Sequence, residues 1–307
     1  MLRIVVLSCK GKEKCKNIKA KCHFLILFAY FCHMKLIADS GSTKTDWVLV
    51  DGRTIVERFQ TQGINPFHQA EDDILVILHT ELLPKLHSHP SSIAFYGSGV
   101  RTELEPVVEH LLRSVFPTAD KIEAHGDLLG AARALFGSEQ GIACILGTGA
   151  NSCLYDGKEI VRNTPPLGYI LGDEGSGAVL GIRFLNALYK GFIDECLVTD
   201  FQRATGLTIS DVIAHVYRQP MANRFLASLS PFISTHLDNP QIRMLVVDNF
   251  RDFFRRNIVQ YGRVDLPVGF VGSIAWHYQS LLCEAAEVEG YTVGRILQSP
   301  IDNLCYL

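Results

Sequence analysis

A short turn rich in glycine and hydroxyl residues carries the first chemistry that the sequence suggests. It comprises Ser40, Gly41, Ser42, Thr43, Lys44 and Thr45. Backbone N–H groups, hydroxyls and an ammonium are the groups that bind an anionic phosphate. Asp39, at the end of the preceding apolar run, could hold a magnesium ion through water. The alternative is an ordinary solvated hairpin, because short motifs often match by chance.

Two further glycine turns occur later in the chain. Gly147, Thr148 and Gly149 follow the apolar segment 141–146, and Gly272 and Ser273 follow the apolar segment 267–271. The phosphates of a nucleotide lying in a cleft need hydrogen-bond donors from both walls, and glycine turns supply backbone N–H groups without bulky side chains. Each turn alone is weak evidence. The three in this order, with Asp39 and Asp127 at predicted strand ends, favour a nucleotide site.

The order of the predicted elements indicates an internal duplication. Residues 35–52 and 141–157 each read as strand, glycine turn, strand and Asp-Gly. Helices and strands alternate afterwards, which predicts an α/β fold with helices on a mixed sheet. We place the seam near 137–140, so that residues 34–138 and 139–307 form two domains with a cleft between them. A last helix from Val293 could cross back onto the first domain.

Composition and charge limit the functional classes. With 307 residues, of which 48% are hydrophobic and 20% charged, the chain can bury a core in each domain. The net charge is −3, but residues 1–33 hold seven Lys or Arg against one Glu, so the remainder is distinctly acidic. An acidic body argues against binding to nucleic acid or to an anionic membrane. Nine cysteines without a CxxC pair favour buried thiols in a reducing compartment.

Residues 1–33 form a doubtful N-terminal extension. A basic stretch precedes the apolar run 24–31, as in a signal peptide, but no small-residue cleavage site follows. The apolar run is too short to span a bilayer. Met34 directly precedes the first predicted strand, so we favour a start codon assigned too far upstream. A targeting or anchoring segment is the alternative.

Four segments together resemble one known family. They are Ile37–Asp46, Ile145–Ser152, Leu171–Ser176 and Phe270–Ala275. The chain is similar to the BadF/BadG/BcrA/BcrD-type ATPases, in particular to N-acetylglucosamine kinase-like proteins of the actin, hexokinase and Hsp70 ATPase superfamily. The resemblance implies two ribonuclease-H-like domains, each with a mixed five-stranded sheet, and ATP with magnesium in a central cleft. It also implies that turns 39–45 and 147–151 bind phosphates and that 272–275 binds adenosine.

A kinase of this kind needs a carboxylate that orients the acceptor hydroxyl and takes its proton. Mammalian N-acetylglucosamine kinases place this Asp after a Ser-Gly-Gly turn, whereas the matching stretch here holds Val100. Asp127, at the end of the next predicted strand, resembles the base of hexokinases, although Gly126 precedes it where those enzymes have Asn. Its alternative role is that of a helix N-cap before Leu128.

The resemblance also assigns residues to the sugar. They are Asn65, Gly97, Asn151, Asp173 and Glu174, with Asp173 favoured over Glu174. Asn65 could instead be a turn residue held extended before a proline. The two adjacent carboxylates could merely favour the dipole of the helix that follows them. Lys44 could reach a phosphate or be an exposed surface lysine.

The expected activity is ATP-dependent phosphorylation of an amino sugar, with N-acetylglucosamine favoured and N-acetylglucosamine 6-phosphate as its product. One alternative is an ATPase activator of a radical dehydratase or reductase, with an iron–sulfur cluster held across a homodimer. Cys144 and Cys153 lie in apolar segments and predict core thiols instead. A further alternative, which Val100 makes plausible, is a non-catalytic sugar- or nucleotide-sensing protein. We expect a cytoplasmic protein without nucleic-acid or membrane partners, and a homodimer is possible.

Overall fold

The computed structural model describes residues 34–41 and 43–306. They form two compact units, one ending at Ala124 and the other beginning at His125. The predicted extension, residues 1–33, and the predicted phosphate ligand Ser42 lie outside the described residues. Within the described ranges, no helix is both long enough and apolar enough to cross a membrane.

Five strands form the sheet of the first unit. They are β1 (Met34–Ser40), β2 (Lys44–Asp51), β3 (Thr54–Gln62), β4 (Ser92–Gly97) and β5 (Lys121–Gly126). Their order across the sheet is β3-β2-β1-β4-β5, with antiparallel pairs from β1 to β3 and a parallel pair between β1 and β4. The register puts Ser40 opposite both Thr45 and Gly97, so the turns that follow β1 and β4 leave the same edge.

Two helical segments belong to this unit. They are α1 (Glu71–Ile77), which continues through a π turn and a 3₁₀ turn to Lys85, and α2 (Glu105–Val115). The buried residues of α2 recur every three or four positions, as expected for a helix with one apolar face. They share a hydrophobic core with Trp47 and Phe95, which lie on the central strands.

The sheet of the second unit repeats the arrangement of the first. Its strands are β6 (Gly141–Leu146), β7 (Ala150–Tyr155), β8 (Ile160–Thr164), β9 (Val268–Val271) and β10 (Val293–Leu297). The order is β8-β7-β6-β9-β10, with β6, β7 and β8 antiparallel and β6, β9 and β10 parallel. The predicted α/β fold with a mixed five-stranded sheet in each half is therefore confirmed.

Most of the helices lie in the second unit. They are α3 (Asp127–Phe136), α4 (Gly168–Leu171), α5 (Gly177–Tyr189), α6 (Glu195–Thr205), α7 (Ile209–Tyr217), α8 (Ala222–Ala227), α9 (Ser230–Ser234), α10 (Pro240–Phe253), α11 (Ser273–His277), α12 (Gln279–Val288) and α13 (Ile301–Leu304). Helix α10 continues through a π turn and a 3₁₀ turn to Tyr261. Its buried rings, among them Phe250 and Phe253, join Phe184 of α5 and Phe270 of β9 in one core.

The end of the chain differs from the prediction. Residues 293–297 form a strand rather than a helix, because they pair in parallel with β9 and complete the sheet. The short last helix α13 packs on α3, and Asn303 Nδ2 donates to the Ala134 carbonyl at 3.1 Å. Helix α3 itself packs on β6, β7 and β9. The chain therefore divides into compact units before this helix, whereas the predicted seam lies after it.

Candidate active site

The first glycine turn is held in place by two buried hydroxyls. The side-chain oxygens of Ser40 and Thr45 lie 2.6 Å apart, and both residues are fully buried. Ser40 Oγ also contacts the carbonyl and the N–H of Ile64, each at 2.9 Å, while Thr45 Oγ1 donates to the Gln62 carbonyl at 3.1 Å. These two hydroxyls are thus used to fix the turn against residues 62–64. A phosphate would have to meet the backbone and the exposed residues of the turn.

Among the described residues of this turn, Gly41, Thr43 and Lys44 are exposed. The Gly41 N–H donates to the Lys44 carbonyl at 3.0 Å and closes the turn. Lys44 Nζ lies 2.9 Å from the carboxylate of Asp46, and its side chain is 57% exposed. An exposed ion pair of this kind contributes about 0–1 kcal/mol, so an anionic ligand could draw the ammonium away from it.

Asp39 is half-buried at the end of β1, where the register pairs it with Asp46 and Tyr96. The described residues include no group of three or more His, Cys, Asp or Glu that could hold a metal ion. In nucleotide sites, however, magnesium is commonly held by one or two carboxylates together with water and phosphate oxygens. A single half-buried carboxylate such as Asp39 is compatible with this mode of binding, and magnesium at Asp39 stays a prediction.

Asn65 lies directly against the turn that follows β4. Its Oδ1 accepts the Phe67 N–H at 3.0 Å, and its own N–H donates to the Gln69 side chain at 2.7 Å. Gly99 has φ +79°, and a Cβ at this position would lie 2.1 Å from Asn65 Oδ1. Only glycine fits so close a contact in this backbone conformation. The structure thus brings Asn65 together with the turn that contains Gly97.

Val100 closes the same turn but belongs to the hydrophobic core. Its N–H donates to the Gly97 carbonyl at 3.2 Å, and its side chain is 6% exposed. It joins the cluster that contains Trp47 and Phe95. A carboxylate in this place would be costly, because burial disfavours an unpaired charge. The position where the resemblance expects an Asp therefore serves packing in this chain.

The second glycine turn is held at the amino end of α5. The Gly177 N–H donates to the Gly147 carbonyl at 2.9 Å, and the Ala178 N–H donates to the Thr148 carbonyl at 3.1 Å. Ser176 caps the helix by accepting the Val179 N–H at 3.2 Å. The helix start thus fixes this turn through the backbone alone, and Thr148 remains exposed on it.

The third glycine turn meets the second. Gly272 has φ +121°, and a Cβ there would lie 2.4 Å from the Leu146 carbonyl, so the position requires glycine. Because β6 and β9 are parallel neighbours, the turns that follow them leave the same edge of the sheet. Ser273 is exposed at the first position of α11 on that edge. Two of the predicted nucleotide motifs are therefore adjacent.

Asp173 links the second turn to the acidic segment, residues 172–176, that precedes α5. It adopts φ +57°, an uncommon conformation for a residue other than glycine and one that concentrates at functional sites. Its carboxylate accepts the N–H groups of Ala150 and Gly168. Burial raises the pKa of Asp173, the two N–H groups act against this, and the charge of Glu174 adds to the rise. Asp173 thus shapes the site as well as offering an oxygen to a ligand.

A pocket of about 350 Å³ opens beside this acidic segment. Its walls include Leu167, Leu171, Asp173, Glu174, Arg256 and Asn257. Glu174 accepts a hydrogen bond from Asn257 Nδ2 at 3.3 Å and lies 3.6 Å from the Arg256 guanidinium. The lining thus combines two leucines with several charged and amide side chains, which could converge on a polar small molecule. The wall formed by residues 255–260 has no counterpart among the residues proposed from the sequence.

Asn249 supports the acidic segment from α10, and the sequence analysis did not identify it. Its side chain is fully buried, and its amide both accepts from and donates to the backbone of residues 175–176, at 3.3 Å in each bond. Asn257, eight residues further along the same helical segment, holds Glu174. The sequence signal for Asn249 is an amide side chain on the apolar face of a long helix. A buried amide needs hydrogen-bond partners, so its position indicates a structural contact with another segment.

Asn151 lies on β7, directly after the second turn. Its Oδ1 accepts hydrogen bonds from Asn163 Nδ2 and from the Ser152 N–H, both at 2.9 Å. The amide oxygen of Asn151 is therefore used within the sheet. Any contact that this side chain makes with a sugar would come from its Nδ2 group.

Asp127 is the first residue of α3, and the structure assigns the N-cap position to Gly126. The N-cap position is therefore Gly126 rather than Asp127, although the Asp127 carboxylate accepts the N–H groups of Leu128 and of Asp127 itself at the start of the helix. Burial raises the pKa of Asp127 to about 6, against the lowering influence of the N–H groups of Leu128 and of Asp127 itself. A carboxyl group that titrates near neutral pH has the basicity that a general base needs.

Cys144 and Cys153 are core thiols, as the sequence predicted. Both are fully buried, on β6 and β7. Burial raises the pKa of Cys144, and it raises that of Cys153 to about 12. Because metals bind the thiolate form, thiols that resist ionisation in this way are poor cluster ligands.

The two sheets define an α/β protein with the actin-like ATPase fold. A solved structure from Porphyromonas gingivalis, named "Putative N-acetylglucosamine Kinase", is 50% identical to this chain with a TM-score of 0.87, and the match covers 89% of this chain and 97% of that one. A protein of the same name from Chromobacterium violaceum shares the fold at 20% identity, with a TM-score of 0.70 over 90% and 99% of the two chains.

A curated relative points in the same direction. The N-acetylmuramic acid/N-acetylglucosamine kinase of Clostridium acetobutylicum is 29% identical over 213 residues, which are 64% of this chain and 68% of that protein. No protein-family model matches the sequence. Given the 50% identity over nearly the whole Porphyromonas gingivalis chain, the protein belongs to the N-acetylglucosamine kinase-like family.

Proposed function

We propose that the protein transfers the γ-phosphoryl group of ATP to the primary hydroxyl of an amino sugar. N-acetylglucosamine is the favoured acceptor, and N-acetylglucosamine 6-phosphate is then the product. The observation that carries this proposal is the 50% identity over 97% of a chain that bears the name of such a kinase. The name of the Clostridium acetobutylicum relative supports the same class of acceptor.

In this proposal Asp127 takes the proton from the acceptor hydroxyl. Its pKa of about 6 leaves the carboxylate largely ionised at neutral pH while keeping it more basic than an exposed Asp. Phosphoryl transfer depends mainly on positioning and on neutralising charge. Asp127 therefore needs to be held in place more than it needs to be strongly basic, and the start of α3 provides a fixed backbone for it.

The three glycine turns would hold the nucleotide. Residues 40–45, including Ser42, and residues 147–149 are the proposed phosphate ligands, and Gly272 with Ser273 would lie near the adenosine. Asp39 would hold magnesium through water, and the ion would neutralise charge on the phosphates. The buried hydroxyls of Ser40 and Thr45 support their turn rather than offering a free oxygen.

The sugar would be bound by Asn65, the Gly97 turn, Asn151, Asp173 and Glu174. Asp173 and Glu174 share one pocket, in which Leu167 and Leu171 could contact the less polar face of a sugar ring. We also propose that the protein acts in the cytoplasm, where ATP is available, and that it forms a homodimer. Light scattering of the purified protein would test the homodimer.

A sensor that binds a sugar without turnover is the second candidate function. The specific observation in its favour is Val100, which packs into the core at the position where mammalian N-acetylglucosamine kinases have their base. The two candidates differ in whether Asp127 can replace that base. The kinase proposal requires that it does.

A coupled ADP-release assay over a panel of amino sugars tests the proposal. With ATP and magnesium, we expect ADP release that depends on the added sugar, with N-acetylglucosamine among the active acceptors. Calorimetric sugar binding without ADP release over hours would favour the sensor. If no amino sugar is either bound or phosphorylated, the proposed function is wrong.

A further inference from the structure

Arg101 is a cation fixed beside the proposed sugar ligand Asn65. Its guanidinium carbon lies 4.3 Å from the centre of the Phe67 ring, and Phe67 is 51% exposed. The ring of His68 packs edge-on against Phe67, with the ring centres 5.0 Å apart. Stacking on an aromatic ring orients a guanidinium and leaves its edge free to donate hydrogen bonds. No ion pair joins Arg101 to another residue in the part of the chain that the structure describes.

Several contacts tie this cation to the proposed sugar site. The Phe67 N–H donates to Asn65 Oδ1 at 3.0 Å, and Gly99 packs against the same oxygen. Arg101 follows the turn 97–100 directly, and that turn begins at the edge where β1 and β4 both end. Asn65, Phe67 and Arg101 therefore form one local group at the edge of the first sheet. A ligand bound by Asn65 would meet the guanidinium nearby.

The chemistry of this group favours an anionic substituent on the ligand. A guanidinium with free donors recognises a carboxylate through paired, charge-assisted hydrogen bonds. N-acetylglucosamine has no charged group, whereas N-acetylmuramic acid carries a lactyl carboxylate on the same sugar ring. Both sugars appear in the name of the Clostridium acetobutylicum relative.

We propose that Arg101, oriented by Phe67, is a specificity-determining residue that lets this site accept a carboxylate-bearing amino sugar such as N-acetylmuramic acid. The proposal rests on the function proposed above and narrows its substrate class. It makes the neutral and the acidic sugar alternative substrates of one site. Only the acidic sugar depends on the guanidinium.

The test compares kcat/KM for N-acetylmuramic acid and N-acetylglucosamine in the full-length protein and its variants. Because a charge-assisted hydrogen bond is stronger than a neutral one, Arg101→Gln should lower the value for N-acetylmuramic acid about tenfold or more. The value for N-acetylglucosamine should change by less than about threefold. Arg101→Lys keeps the charge but loses the planar stack, so it should fall between the wild type and Arg101→Gln.

Arg53→Gln is the matched control. Arg53 is an exposed arginine in the turn after β2, which lies at the opposite edge of the same sheet because Asp51 pairs with Met34. Removing its charge alters the net charge of the protein as Arg101→Gln does. It should leave the ratio of the two kcat/KM values unchanged. Phe67→Leu, which removes the aromatic platform, should reduce the preference for the acidic sugar by a smaller factor than Arg101→Gln.

The outcomes separate this inference from the function on which it rests. A wild type that phosphorylates N-acetylglucosamine but not N-acetylmuramic acid overturns the inference and leaves the kinase proposal intact. Equal losses for both sugars in Arg101→Gln, with a raised KM for ATP, would instead place the guanidinium on the nucleotide. A wild type that phosphorylates neither sugar overturns both proposals.

Discussion

The two sheets have the same strand order, but their glycine turns are held by different means. In the first unit, the buried hydroxyls of Ser40 and Thr45 fasten the turn to residues 62–64. In the second, backbone N–H groups at the start of α5 and the carboxylate of Asp173 hold the turn. The first turn thus depends on side chains that bury their hydrogen bonds, and the second depends on a helix end and an acidic residue.

This difference indicates how a duplicated fold can acquire two distinct roles. A turn that is fixed from within the core leaves its exposed backbone and Lys44 for a ligand. A turn fixed by an acidic segment places carboxylates next to itself, and in this protein those carboxylates line a pocket. The same topology can therefore present hydrogen-bond donors at the glycine turn of one sheet and carboxylate acceptors beside the glycine turn of the other. Substitutions in each unit can test this asymmetry.

The largest expected effect is a loss of activity on substitution of Asp127. In each sheet a helix follows the last strand in the chain, and the two helices differ in their first residue. The helix after β5 begins with Asp127, whereas its counterpart after β10 begins with Ile301. Asp127→Asn should lower kcat about 10²–10⁴-fold, the usual contribution of a general base, with little change in KM for ATP. In the wild type, kcat/KM should fall as the pH drops below about 6, because the carboxylate becomes protonated.

The stability of this variant provides the control for its activity. The pKa of Asp127 rises from 3.8 to about 6 on folding, so its contribution to stability is full below pH 3.8 and is lost as the pH rises through about 6. Asp127→Asn should therefore be at least as stable as the wild type at pH 7. Asp302→Asn, on the counterpart helix, should retain full activity. A variant Asp127→Asn that unfolds at pH 7, or keeps turnover within a few-fold, would contradict the assignment.

The second prediction concerns the support of the acidic segment. Asn249→Ala leaves the buried Gly175 N–H without its partner and removes one of the two hydrogen bonds of the Ser176 carbonyl, which should cost about 1–3 kcal/mol in the free energy of unfolding. If Asn249 positions Asp173 and Glu174, KM for the sugar should rise several-fold while KM for ATP changes little. Gln241→Ala, an exposed position near the start of the same helix, is the control. Equal changes in both KM values would show that Asn249 acts only on stability.

The sequence predicted the parts of this site that follow from local chemistry. Glycine turns after apolar strands and an Asp at a strand end are visible in the order of residues, and the repeated pattern predicted both sheets. Asn249 and the pocket wall at 255–260 escaped prediction, because their contacts join residues more than seventy positions apart. The tail was predicted incorrectly as a helix, since its five residues take their strand conformation from pairing with β9.

Removing either buried hydroxyl should weaken the first turn, because that turn is held by side chains rather than by a helix end. Ser40→Ala and Thr45→Val each remove a buried hydroxyl that bonds to the other and to the backbone. Each should lower the free energy of unfolding by about 1–2 kcal/mol. Because the two hydroxyls contact each other, their effects should not be additive, and a double-mutant cycle should give a coupling of about 0.5 kcal/mol or more. Additive effects would show that the two hydroxyls hold the turn independently.

The smallest effect on stability is expected at Lys44, which tests whether the first turn acts on a ligand. Its ion pair with Asp46 is exposed, so Lys44→Met should change the free energy of unfolding by less than about 0.5 kcal/mol. If the ammonium moves to a phosphate, KM for ATP should nevertheless rise several-fold, and more at low than at high salt because ions screen the interaction. Lys158→Met, in the turn before β8 of the other sheet, is the matched control. An unchanged KM for ATP would show that the Lys44 ammonium does not bind a phosphate. Its exposed charge would then serve only its ion pair with Asp46.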